Sequence, residues 1–333
     1  MFATTVVDDL FAGHTPGRGD PLLVLLGGQP AAGKTQAQAA ILAECAADDL
    51  VEITGDDLRE YHPDYARLAE QSPFAMPGVT APVSGGLIGL ALDHALTQRH
   101  SVLLEGTFRD KEMVIATATR FADAGYRVMI VAVATPAPVS RLSTEMRSLD
   151  AGYPEVGRWT PPDAHESALA GSAMVVSALE ALPFVGRVQV FSREALLFDN
   201  SRTDTGEWAQ PARAARILRQ EQHRQLSVRE AYFWLQDYAA VFATARARPG
   251  YFASETAPTY LRLQNDAQNM IHILSKKPGA PLSQLSREQR VRAAILERVL
   301  PPESLPEPHK SGMRSQRSQP HPSSRPDPPV PRL

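Results

Sequence analysis

A single cysteine, Cys45, stands in 333 residues. It excludes an internal disulfide, and its place after Ile41, Leu42 and Ala43 suits a small core residue. No zinc-ligand spacing is present, and the nine histidines are scattered. Neither a Gly-x-Ser-x-Gly elbow nor a cysteine-nucleophile arrangement occurs. The apolar runs fall short of the roughly 20 residues of a membrane span, so no membrane partner is expected. Asp8 and Asp9 interrupt the first residues, and no basic n-region precedes an apolar stretch. The expected location is therefore the cytoplasm. Charge of one sign is also scarce, at a net −3. That argues against a nucleic-acid coat and makes nucleic acid an unlikely partner, without excluding a small nucleic-acid substrate.

What is present is a phosphate loop. The apolar run from Leu22 leads into Gly28, Gln29, Pro30, Ala31, Ala32, Gly33, Lys34 and Thr35, a Walker A pattern. Backbone N–H groups of such a loop point at a β-phosphate, and the following helix adds its positive end. Lys34 would reach the β- and γ-phosphates of a nucleoside triphosphate, and the Thr35 hydroxyl would hold Mg²⁺. Gln36 to Ala47 supplies the helix that this context needs.

Strands at 51–53, 101–104, 127–134, 187–191 and 195–198 alternate with helices at 87–98, 111–124, 139–149 and 163–182. The alternation implies a P-loop-type, doubly wound parallel sheet with helices on both faces. Gly125 reads as the C-terminal cap of the helix from Lys111. Residues 72–86, rich in Pro and Gly, read as a loop. After Trp208 the pattern is all-helical, with Ala231, Leu235, Tyr238 and Phe242 on one face and a Ser286–Gln289 capping box before the last helix. Residues 301–333 hold ten of the 28 prolines and are expected to be disordered. The domain reading is thus a kinase-like unit over 1–204, a helical region over 205–300 and a tail over 301–333.

Catalytic groups in such sheets collect at the carboxyl ends of the strands. Asp56 follows the second strand and Glu105 ends the third. An alcohol acceptor needs a carboxylate to orient its hydroxyl and take its proton. Asp56 is the candidate and its neighbour Asp57 the alternative, with capping of the helix that starts at Leu58 as the other role open to the pair. Glu105 resembles a Walker B acid, suited to Mg²⁺ through water or to substrate hydroxyls. Arg109 offers a planar fork for an anionic group of the acceptor. Arg147 and Arg158 flank the Gly/Pro-rich stretch from Asp150 to Gly157, which reads as a mobile flap that brings arginines to the moving phosphoryl group. His62, before Pro63, is held extended and either contacts substrate or fixes the turn.

Four blocks in this order resemble the zeta toxin family, the kinase half of epsilon/zeta-type toxin–antitoxin systems. They are Gly28–Thr35, Gly55–Pro63, Leu104–Arg109, and Arg147 with Arg158, Thr160 and Pro161. The resemblance covers roughly residues 1–200. It implies an ATP- and Mg²⁺-dependent phosphotransferase acting on the sugar 3′-hydroxyl of UDP-N-acetylglucosamine, which withdraws a cell-wall precursor. It also implies an antitoxin partner. In that reading Asp56 is the general base, Glu105, Thr107 and Arg109 line the sugar-nucleotide pocket, and Arg147 and Arg158 clamp the triphosphate. Ala31 stands where the family often has glycine, which calls for a negative φ there. Two other functions fit the residues: a P-loop kinase for another acceptor, such as an antibiotic alcohol or a polynucleotide end, and a nucleotide-dependent switch without catalysis.

Overall fold

β1 (Leu22–Gly28) is buried at every position, as befits a strand covered on both faces. It pairs in parallel with β3 (Val102–Gly106) and β4 (Arg127–Val133). β2 (Val51–Thr54) and β5 (Val185–Phe191) extend the sheet in parallel on either side. β6 (Leu196–Ser201) closes it antiparallel, in the order β2-β3-β1-β4-β5-β6. The reversal at β6 follows from the length of its connection. The Ser192 amide donates to the Ala195 carbonyl across a tight turn, whereas a parallel return needs a dozen or more residues. This computed structural model describes residues 2–17, 19–150 and 158–305.

Alternation along β1 divides the core. Leu22, Val24 and Leu26 pack with Ala37, Ile41 and the buried Cys45 on the side of α2 (Lys34–Glu44). Leu23 and Leu25 face the other way, into a larger core. That core is built with α1 (Phe2–Phe11), α4 (Met76–Gln98), which follows the short α3 (Tyr65–Gln71), α5 (Lys111–Asp123) and α7 (Pro162–Glu180). α8 (Ala214–Gln222) adds Ala214 and Leu218 to it. A separate core joins α9 (Val228–Ala247), α10 (Ala257–Leu274) and α11 (Leu282–Val299) to Leu142 and Leu149 of α6 (Ala137–Leu149). The result is the expected α/β sheet with helices on both faces and an all-helical C-terminal region.

Three local expectations fail. The stretch read as a loop over 72–86 is helical from Met76, because Thr80, Ser84, Leu87, Ala91 and Ala95 bury one face of α4. Pro77 lies in the first turn, where its missing N–H is harmless. Pro82 is carried inside the helix; packing of that face outweighs its propensity. α4 is also long and apolar enough, by length and composition, to cross a bilayer, although a third of its most apolar window is buried here. Finally, α11 starts at Leu282, so Ser286 is interior and makes no capping box. Gln289 is instead buried and donates to Gln264 Oε1 at 2.7 Å. The capping box that forms is Ser227 with Glu230 at α9. The proposed flap over 150–157 falls, but for Asp150, outside the described residues, and so does most of the proline-rich tail, at 306–333.

Candidate active site

The loop after β1 is pinned from three directions. Gln29 is fully buried and donates to the Thr135 carbonyl at 2.6 Å. Its own oxygen accepts from Gln222 Nε2 of α8 at 3.1 Å. The Thr135 hydroxyl donates to the Ala32 carbonyl at 2.7 Å. Arg193, in the β5–β6 turn, donates through Nη2 to the Ala31 carbonyl and, at 2.9 Å, to Ser143 Oγ on α6. Burial lowers its pKa. Two close approaches demand glycine. A Cβ on Gly28 would lie 2.5 Å from the Val133 carbonyl oxygen, and one on Gly33 would meet Arg193 Cγ at 2.9 Å. Gly33 also carries φ +98. Ala31 adopts φ +57, so the negative value expected there is not found; the Arg193 clip on its carbonyl holds the left-handed turn.

α2 begins at Lys34 with no side chain capping its N-terminus. The Gln36 N–H donates to the Gly33 carbonyl at 3.3 Å, which leaves the Lys34 and Thr35 N–H groups at the helix start for an anion. The Lys34 ammonium is paired with Glu105 Oε1 at 3.3 Å and is only 11% exposed. Thr35 is exposed in the first turn.

Sheet register brings the acids to the same end. Leu26 of β1 pairs with Glu105, and Glu105 pairs with Thr54. Adjacent strands are about 4.8 Å apart, so Asp56, two residues past Thr54, lies near the strand ends that carry Glu105. Its carboxylate makes no N-cap bond to the following 3₁₀ turn. It faces Arg59 Nε and Arg158 Nη1 instead, each at 3.3 Å, and is 43% exposed. Arg158 also reaches Asp57 at 3.2 Å. Arg59 is anchored to the Pro77 carbonyl at 2.6 Å and to Thr80 Oγ1 at 2.9 Å. Arg147, on α6, completes the cluster. Burial lowers its pKa and the nearby Arg158 lowers it further, while Asp56 and Glu105 act in the opposite sense.

The structure thus assembles Lys34, Glu105, Asp56, Arg147 and Arg158. The other expected substrate-side residues are placed as follows. Thr107 is partly buried just past β3. His62 ends the 3₁₀ turn and accepts from the Asp64 amide at 3.1 Å, the turn-fixing role. Arg109 is exposed and lines an open groove of about 850 Å³ with Lys111, Arg213, Arg216 and Arg219, between α5, α7 and α8. Sequence reasoning missed Arg193, Thr135, Gln222 and Arg59. Only Arg59 carried a local signal, three residues after Asp56.

Comparison with known proteins settles the relationship. The family model described as Zeta toxin matches residues 7–203, more than half of the chain. The chain belongs to the zeta toxin family. Toxin PezT of Streptococcus pneumoniae is 28% identical over 204 residues, covering 57% of this chain and 80% of PezT. Toxin zeta of Enterococcus hirae is 27% identical over 178 residues, which is 53% of this chain and 62% of that protein. A solved chain from the PezAT toxin–antitoxin system of S. pneumoniae shares the fold, with TM-score 0.60 and 23% identity over 72% of this chain and 94% of its own length. The zeta toxin match ends before α8, so α8 to α11 lie beyond it.

Proposed function

We propose that this zeta toxin family member is an ATP-dependent phosphotransferase with an alcohol acceptor, and that the acceptor is the 3′-hydroxyl of UDP-N-acetylglucosamine. The observation that carries the proposal is Asp56: a solvent-reaching carboxylate, not spent on capping, held by Arg158 at the strand ends beside the Lys34–Glu105 pair. The triphosphate would lie on the Gly28–Thr35 amides, with Lys34 exchanging Glu105 for phosphate oxygens. Asp56 accepts the proton of the acceptor hydroxyl while the acceptor oxygen bonds to the γ-phosphorus and the bond from that phosphorus to ADP breaks. Arg147 and Arg158 then neutralise charge on the transferring group. Mg²⁺ would be held by the Thr35 hydroxyl together with the nucleotide, and would supply neutralisation of the charge that builds up on the phosphates. Among the described residues no group of three or more His, Cys, Asp or Glu could hold a metal, which fits an ion that arrives with the nucleotide. An antitoxin is the expected protein partner, by analogy with the PezAT system.

The test is incubation with ATP, Mg²⁺ and UDP-N-acetylglucosamine, followed by mass spectrometry. A product heavier by one phosphoryl group is expected, and Asp56→Asn should bind ATP yet form none. Failure with UDP-sugars but transfer to another alcohol would keep the kinase and replace the acceptor. One observation favours a second acceptor class, a polynucleotide end: the groove at Arg109 carries five cations against two acids, of which Glu112 pairs with Lys111 at 3.4 Å and Glu180 is taken up by the Arg213 and Ala214 amides. An oligonucleotide with a free 5′-hydroxyl therefore belongs in the acceptor panel.

A further inference from the structure

α6 presents two opposed polar faces. Ser143 and Arg147, four residues apart, share the face that meets Arg193 and the acid cluster. Arg141, Glu145 and Ser148 lie on the other side of the helix, and every one of them is buried. Arg141 pairs with Asp266 of α10, and its Nε donates to Glu166 of α7 at 3.0 Å. The Tyr251 hydroxyl, ahead of α10, donates to Glu145 Oε2 at 3.0 Å and lies 2.9 Å from Ser148 Oγ. Arg248, just past α9, donates to the Leu149 carbonyl at the end of α6, at 2.6 Å. Trp234 of α9 donates to the Pro138 carbonyl at its beginning, at 3.0 Å.

A buried polar seam of this kind is weak evidence for stability, since apolar side chains of similar volume pack as well or better. What it fixes is rotation and register. Apolar packing between helices tolerates small slips, but paired donors and acceptors do not. One residue of slip turns a helix by about 100°, enough to swing Arg147 away from Asp56 and Glu105. We infer that the C-terminal helical layer is a positioning part of the active site: α9, α10 and Tyr251 between them lock α6, and the lock holds Arg147 at the phosphate site. The inference rests on the proposal that Arg147 contacts the triphosphate. It assigns a task to a region beyond the zeta toxin match.

A double-mutant cycle in the full chain tests it, read by the dissociation constant for ATP·Mg²⁺ without acceptor. Tyr251→Phe keeps the ring and removes only the hydroxyl. It should weaken binding about fivefold, Arg147→Ala about tenfold, and the pair no more than Arg147→Ala alone, because the hydroxyl acts through that arginine. If the two effects multiply, or if Tyr251→Phe leaves the constant within about twofold, the inference is overturned. Arg248→Ala, at a half-exposed position, repeats the cycle should Tyr251→Phe fail to fold, with the same expectation and the same overturning result. A wild type that gives the non-additive cycle but transfers phosphate to no alcohol sinks the phosphotransferase reading and supports the brace. Transfer accompanied by a multiplicative cycle does the reverse. A wild type that binds no ATP overturns both.

Discussion

Ala31 holds a left-handed backbone without the freedom of glycine. Its Cβ crowds a carbonyl there, at a cost of roughly 1–2 kcal/mol. Ala31→Gly relieves that crowding but frees the unfolded chain, so a net gain of about 0.5–1 kcal/mol is expected. A rise in thermal midpoint with no loss of ATP affinity would bear this out; a fall would mean that the Arg193 clip depends on the methyl group. A second residue sets a pH dependence. Burial pushes the Glu145 carboxyl up to about 7, against the pull of the Tyr260 and Tyr251 hydroxyls. The folded protein therefore keeps a proton that the unfolded chain releases near its ordinary value of 4.5. Stability from this group is full below that value, falls as pH rises towards 7 and is flat above. The span is worth about 3 kcal/mol at most. Denaturant melts at pH 5 and pH 8 should differ in this direction, and Glu145→Gln should flatten the difference.

At the scale of elements, the phosphate loop is held by pieces distant in sequence. The β5–β6 turn delivers Arg193 to the Ala31 carbonyl and to α6 at once. Arg193→Ala leaves the loop free to relax, and a loss of about tenfold in ATP affinity, roughly 1.4 kcal/mol, is expected by calorimetry. An unchanged affinity would show that Gln29 and Thr135 suffice. This division explains what could be read from sequence. The strand, the Gly28–Thr35 loop and the acids at the ends of β2 and β3 are local patterns, and their register follows from parallel pairing. Arg193 and Gln222 meet the loop from far along the chain, and no periodicity encodes such meetings. α4 was illegible for another reason: its glycines and prolines carry loop propensity, and only burial of Thr80, Ser84 and Leu87 against neighbouring elements makes it a helix. The Ser286–Gln289 pattern misled because a capping box is decided by where the helix starts, and α11 starts a turn earlier.

For the whole molecule, similarity and folding divide the chain differently. The family match stops at 203, yet α8 lies past that point, buries Ala214 and Leu218 in the sheet core and sends Gln222 to the buried Gln29. α6, within the match, buries Leu142 and Leu149 in the C-terminal core. Each core thus borrows from the other side of the boundary. A chain ending at 204 would expose the α7 face beneath α8 and the α6 face beneath α9. It would also strand the Gln29 oxygen, which alone costs about 1–3 kcal/mol, against a typical total stability of about 5–15 kcal/mol. Such a truncation is expected to aggregate or to melt without a sharp transition. Ending the chain at 224 should restore the sheet core but not α6, giving a folded species with weakened ATP binding. Calorimetric scans of the two truncations beside the full chain decide the matter: a 1–204 fragment that melts as sharply as the full chain, with full ATP affinity, would show that the C-terminal helices are an appendage and not part of the folding unit.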